Sequence, residues 1–139
     1  MVREILFRGK RTDNGEWVEG YYVHLYDGKG NESHRIYTGY SETDCGDFYP
    51  EWFEVDPETV GQFTGICDNN RKKIFEGDIC RNVRTLGISA VKWNVSFAGY
   101  VWSRLKGGST LYEFGELFRV QDKCEVITSI HDNKDLLEG

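Results

Sequence analysis

Apolar and polar positions alternate with a period of two along most of the chain, which predicts strands rather than helices. Ile5 and Phe7 alternate with Leu6 and Arg8. Thr12-Asp13-Asn14-Gly15 then supplies a turn in which Asn14-Gly15 accommodates positive φ, so a hairpin follows. The run Glu16 to Tyr26 places Trp17, Tyr21, Val23 and Leu25 on one side and Val18, Tyr22 and His24 on the other. Asp27 to Asn31 is a second loop, and His34 to Tyr40 reads as another strand. Between Glu42 and Glu58 stand seven acidic residues and no Lys or Arg, a solvated loop interrupted by Phe48, Tyr49, Trp52 and Phe53. Asp56 can cap a helical turn whose first position is Pro57, because the missing N–H of Pro would be unpaired there anyway.

From Gly61 the pattern is strand, turn, strand through Asp78-Ile79-Cys80, with a tight corner at Gly77. Val91, Trp93, Val95 and Phe97 alternate with Lys92, Asn94 and Ser96, so these four apolar residues are expected to be buried together, with Gly99 to Trp102 as the hairpin partner. Leu111, Phe114, Leu117 and Phe118 also suit a helix face, but Gly115 and the aromatics weaken a helix, and Leu111 to Val120 is read as strand or loop. Glu125 to Ile130 is a last strand, and Asp132 or Asn133 can cap a short terminal turn carrying Leu136 and Leu137.

Composition supports a sheet. Eight Phe, eight Tyr and four Trp favour strands, and sixteen Gly against two Pro favour tight turns over a linker. A length of 139 residues suits a single domain, 1–139, with a hairpin region 1–60 packed against a barrel region 61–139. The net charge of -6 opposes non-specific attraction to nucleic acid. No apolar run reaches the roughly 20 residues that span a bilayer, and no signal peptide opens the chain, which predicts a cytoplasmic protein. Cys45, Cys67, Cys80 and Cys124 lie far apart without a C-x-x-C pair, so neither a zinc site nor a disulfide is expected.

The segments Arg3 to Lys10, Gly15 to Tyr21, and Val60 to Gly65 followed by Asp68, Asn70 and Lys73 to Ile79, together with Glu125-Val126-Ile127, Asn133 and Leu136-Leu137-Glu138, resemble in order the YopX-like proteins of phages and prophages. The acidic-Gly-Asp-Ile corner at Glu76 to Ile79 is the most specific part. Cys67 stands where a charged or polar residue is more familiar, and Thr128-Ser129 where a Gly-Asn pair is common. The resemblance implies a mainly β fold built around a small barrel (SH3-like or related) with hairpin extensions and short helical turns near Pro57 and the C-terminus. It also implies phage origin, a bacterial host's cytoplasm and self-association into a homo-oligomer. It carries no catalytic residues.

Enzyme chemistry finds no constellation. His24, His34 and His131 occupy three separate segments without H-x-x-x-H, G-x-S-x-G or P-loop spacing, and Asp44, Asp47, Glu51 and Glu54 lack the ligand alternation of a calcium loop. No catalytic residue, metal or cofactor is expected. Aromatic and basic residues exceed what a small barrel needs inside, so Trp17, Tyr21, Tyr22, Arg35, Tyr37, Tyr40, Trp52, Trp102 and Arg104 are the candidate ligand-binding residues: rings stack on bases and Arg grips phosphate. The expected function is a non-enzymatic binding protein that sequesters a host component such as a nucleotide-type immune signal. The alternatives are an acidic protein-interaction or DNA-mimic module carried by 42–58, and an enzyme acting on nucleotides.

Overall fold

The computed structural model describes residues 3–83, 87–96, 98–104, 111–113 and 124–134. The chain divides into two compact units, Met1–Gln62 and Phe63–Gly139. Within them the described ladders are antiparallel and almost free of helix, as the period-two patterning requires, and they close no barrel.

The first unit is a meander of β1 (Phe7–Lys10), β2 (Trp17–Tyr26), β3 (Glu32–Glu42) and β4 (Phe48–Glu54), each paired with the next. At the first turn Gly15 adopts φ 73°, while the Asn14 side chain accepts from the Glu16 N–H. The second turn is held by Asp27, whose Oδ1 accepts from the N–H groups of Lys29 and Asn31 at 2.7 and 3.1 Å. That turn sets a register in which Tyr22 opposes Ile36, and His24 opposes His34. Gly20 is required by crowding, since a Cβ there would overlap the Tyr37 carbonyl.

The acidic stretch expected as a loop contains β4 instead. Its aromatic residues recur closely enough to continue the sheet, and Glu51 and Glu54 flank Trp52 and Phe53 on an edge strand where Pro50 is tolerated. Only Phe53 of its apolar residues is half-buried, next to Ile36 in register; Phe48, Tyr49 and Trp52 are exposed. After β4, Asp56 caps one 3₁₀ turn, Pro57–Thr59, by accepting from the Glu58 N–H. Thr59 then accepts from the Lys10 N–H at 2.8 Å. The buried apolar residues of this unit are Ile36 and Val55.

Strand β5 (Gly61–Cys67) carries the chain onward. Gly61 and Gln62 pair with Arg8 and Phe7 of β1, and Phe63 pairs with Phe75 of β6 (Lys73–Phe75). The second unit then forms a sheet from β7 (Asp78–Asn82), β8 (Ile88–Asn94), β9 (Gly99–Arg104), β10 (Leu111–Glu113) and β11 (Cys124–Ser129), in the order β10-β9-β8-β7-β11. Among the described residues Ile74, Cys80, Val91, Trp102 and Cys124 form its larger buried cluster.

Two buried carboxylates organise the turns of this unit. Asp78, after the expected corner at Gly77 (φ 91°), accepts from the Phe75 N–H at 2.8 Å. Asp68 accepts from the N–H groups of Asn70 and Lys72 at 2.8 Å each and of Val126 at 2.9 Å. Both are structural anchors, because backbone donors that would otherwise lie buried are satisfied by them.

The expectation that Val91, Trp93, Val95 and Phe97 share one buried face needs correction. Val91 is fully buried, but Trp93 is 47% and Val95 84% exposed, and Phe97 lies outside the described residues. Strand β8 ends at Asn94 and Val95 belongs to the turn, and among the described residues the ring partner of Trp93 is Tyr100, edge-on at 5.1 Å. In the 111–120 segment β10 is a strand, whereas 114–120 and the terminal turn with Leu136 and Leu137 lie outside the described residues.

All four thiols are free, Cys45 exposed and Cys80 and Cys124 buried. A hydrogen bond with Cys124, reinforced by burial, pushes the Cys80 thiol far up and keeps it protonated. Among the described residues no helix is long and apolar enough to cross a membrane.

Candidate functional site

Strand alternation sorts the first unit into two faces with different chemistry. Registers Lys10↔Trp17, Arg8↔Glu19, Tyr21↔Tyr37, Val23↔Arg35, Tyr37↔Trp52 and Arg35↔Glu54 put these side chains on one face. The other face carries Phe7, Tyr22, His24, Glu32, His34, Ile36 and Phe53.

The first face is a belt of cations lying on rings. The Arg8 guanidinium sits 4.4 Å and the Lys10 ammonium 5.4 Å from the Trp17 ring centre, and the Arg35 guanidinium lies 3.8 Å from that of Trp52. Such contacts contribute about 0.5–1 kcal/mol at exposed sites, and they hold both partners in place for a third group. Arg35 is further oriented by donating from Nε to Ser33 Oγ at 3.0 Å and from Nη1 to Tyr37 Oη at 3.4 Å. Among the described residues no carboxylate forms an ion pair with it. Trp52 is 39% and Tyr21 66% exposed, so the ring edges beside Arg35 are open to solvent. Arg35 also borders a shallow cleft of about 390 Å³ whose wall includes Leu25, Asn31 and Ser33.

Of the nine candidate residues, Trp17, Tyr21, Arg35, Tyr37 and Trp52 share this face. Tyr22 points to the opposite one, where its hydroxyl meets His34 Nδ1 at 2.6 Å. Tyr40, 77% exposed, stands further along β3 beyond the bulge at Tyr37 and Gly39. Trp102 is withdrawn from any ligand, because it is packed into the core of the second unit with Val91 and Cys124. Arg104 closes β9, and its side chain lies outside the described residues.

The acidic residues are less available than a bare charge run implies. Glu51 accepts from Thr38 Oγ1 at 2.6 Å and Ser41 Oγ at 2.9 Å, and these bonds hold its carboxyl below the usual range. The potential metal ligands are on the second face, where His24, Glu32 and His34 converge. The sequence reading treated the histidines as separate. The signal it missed is the hairpin's register, in which paired positions sum to 58: a turn centred on residue 29 places 24 opposite 34 and 26 opposite 32.

Residues 6–138 match the model of a family described as YopX protein. No curated protein matches. Among solved structures, the crystal structure of protein EF1440 from Enterococcus faecalis is similar over 98% of this chain and 99% of its own, with a TM-score of 0.60 and 22% identity, a likeness of fold.

Proposed function

The chain belongs to the YopX protein family, and from that premise we propose that it is a non-enzymatic binding protein whose Arg35–Trp52 face takes up a planar, anionic, nucleotide-type ligand. The observation that carries the proposal is a guanidinium stacked on an indole, steered by two hydroxyls and lacking a carboxylate partner among the described residues. A group so placed offers a π face for a base and N–H donors for a phosphate. Among the described residues no nucleophile with a base is brought together on that face, and retention of the ligand, not turnover, is the function proposed. In a phage or prophage setting the ligand is a host immune signal and the activity is its sequestration.

Affinity argues for self-association. Stacking contributes about 1–3 kcal/mol per base, so two rings and one Arg supply about 3–9 kcal/mol before ordering costs, while micromolar binding needs about 8 kcal/mol. An open sheet face reaches that range when a second copy of the chain provides another wall.

Calorimetry against a panel of mono-, di- and cyclic nucleotides tests this. Binding should weaken at least tenfold in Arg35→Ala and in Trp52→Ala with melting temperatures nearly unchanged, and heating should release the ligand intact. A cleaved product would move the protein to the enzymes. Absence of binding across the panel, with capture of a host protein lost on neutralising Glu51 and Glu54, would replace this proposal by the acidic-surface one.

A further inference from the structure

The opposite face of the same hairpin carries a separate constellation. His24 and His34 are directly opposed across β2 and β3, and their rings stack at 4.1 Å with an interplanar angle of 21°. Nε2 of His24 lies 3.7 Å from one oxygen of Glu32, and Nε2 of His34 lies 3.9 Å from the other. One ligand atom from each residue can be chosen so that all lie within 4.8 Å of one another.

We propose that His24, Glu32 and His34 form a binding site for a divalent transition-metal ion of the zinc type, with solvent completing the coordination. The donor set is two imidazole nitrogens and one carboxylate oxygen, which suits zinc, cobalt or nickel and not magnesium or calcium, whose ligands are oxygens. Metal–ligand bonds of about 2.0–2.1 Å put tetrahedral neighbours about 3.3–3.5 Å apart. The observed His–Glu separations exceed that by a few tenths of an ångström, and the His24 ring must turn out of its stack on His34 before both Nε2 atoms can aim at one ion.

The surroundings favour an ion over a purely structural pair. Two imidazole nitrogens and one carboxylate oxygen offer lone pairs and a single negative charge to a dication. Tyr22 fixes the geometry from behind. When His34 Nδ1–H donates to the Tyr22 oxygen, Nε2 keeps its lone pair on the Glu32 side, the outer hydrogen bond that metal-bound imidazoles require. Among the described residues no Lys or Arg pairs with Glu32, and its position next to the turn is braced by Asp27, which also accepts from Asn31 Nδ2 at 2.6 Å.

The site lies on the face opposite Arg35 and Trp52, so it stands or falls independently of the nucleotide proposal. The test uses the metal-free full chain in a Cys45→Ser background, titrated with Co²⁺ by visible absorption and with Zn²⁺ by calorimetry. One ion per chain with a tetrahedral or five-coordinate cobalt spectrum is expected, with Mg²⁺ silent. His24→Ala and Glu32→Gln should each weaken Zn²⁺ binding at least tenfold while metal-free melting temperatures change little. Tyr22→Phe should weaken it about 10–100-fold although no ligand is removed. Failure to bind Co²⁺ and Zn²⁺ in the micromolar range overturns the proposal, as does stoichiometric binding that survives both His24→Ala and Glu32→Gln in folded protein.

Discussion

The two units use their side chains in opposite ways. Among the described residues the second buries Phe63, Ile74, Phe75, Ile79, Val91, Val101 and Trp102, together with two carboxylates that serve backbone donors, while the first buries only Ile36 and Val55 as apolar residues. The first instead exposes Tyr21, Tyr26, Tyr40, Phe48, Tyr49 and Trp52 on long strands. Exposed rings on a sheet contribute little to burial, yet they are held by ladders, tight Asx turns and cation–ring contacts. Apolar burial is therefore concentrated in the second unit and exposed aromatic surface in the first, and family membership alone does not reveal this division.

The strongest way to break that contrast is to truncate a core ring. Phe75→Ala should cost about 3–5 kcal/mol in denaturant unfolding, because the side chain is fully buried beside Phe63. A loss below 1 kcal/mol would mean that the second unit does not hold the fold. Trp93→Ala sharpens the contrast from within the same unit: with half its surface in solvent and one edge contact to Tyr100, it should cost about 1 kcal/mol or less. A cost near that of Phe75→Ala would place Trp93 in a core after all.

The smallest effect belongs to the turns of the first unit. Hydrogen bonds from the Asn31 side chain and then the Lys29 N–H hold the Asp27 carboxyl below its ordinary value of 3.8. A depressed carboxylate contributes its stability above the unfolded pKa and loses it as pH falls through the folded one. The Lys29 and Asn31 amide resonances should thus shift together with a midpoint below 3.8, and a midpoint at or above that value would show the turn to be unbraced.

Much of the architecture is legible in the sequence where local chemistry decides it. Asn14-Gly15, Asp56-Pro57 and Glu76-Gly77-Asp78 act within a few residues, and each forms the predicted turn, cap or corner. Alternation also separates Tyr21 from Tyr22 correctly. It fails at Val95 because period two does not say where the strand stops, and at Trp93 because it says which face a residue takes and not whether that face is covered. It fails at Phe48 to Glu54 because acidity resembles solvation even when aromatic residues between the acids continue a sheet. The Arg35–Trp52 contact and the His24–Glu32–His34 group depend on cross-strand register, which emerges only once turns are counted as axes.

Asp68 ties its own turn to Val126, 58 residues further along the chain. At synthesis rates of about 5–20 residues per second, its third donor arrives about 3–12 s after Asp68 itself has been added. Until then one side of β7 lacks β11, and a strand carrying Ile79 and Cys80 presents open N–H and C=O groups. The hairpins of the first unit close on near neighbours, although the outer side of β1 waits similarly for Gly61 and Gln62. The part of the protein that is firmest when finished is thus the last to become safe on the ribosome, and its nascent form is the one that a chaperone or a second nascent chain would meet.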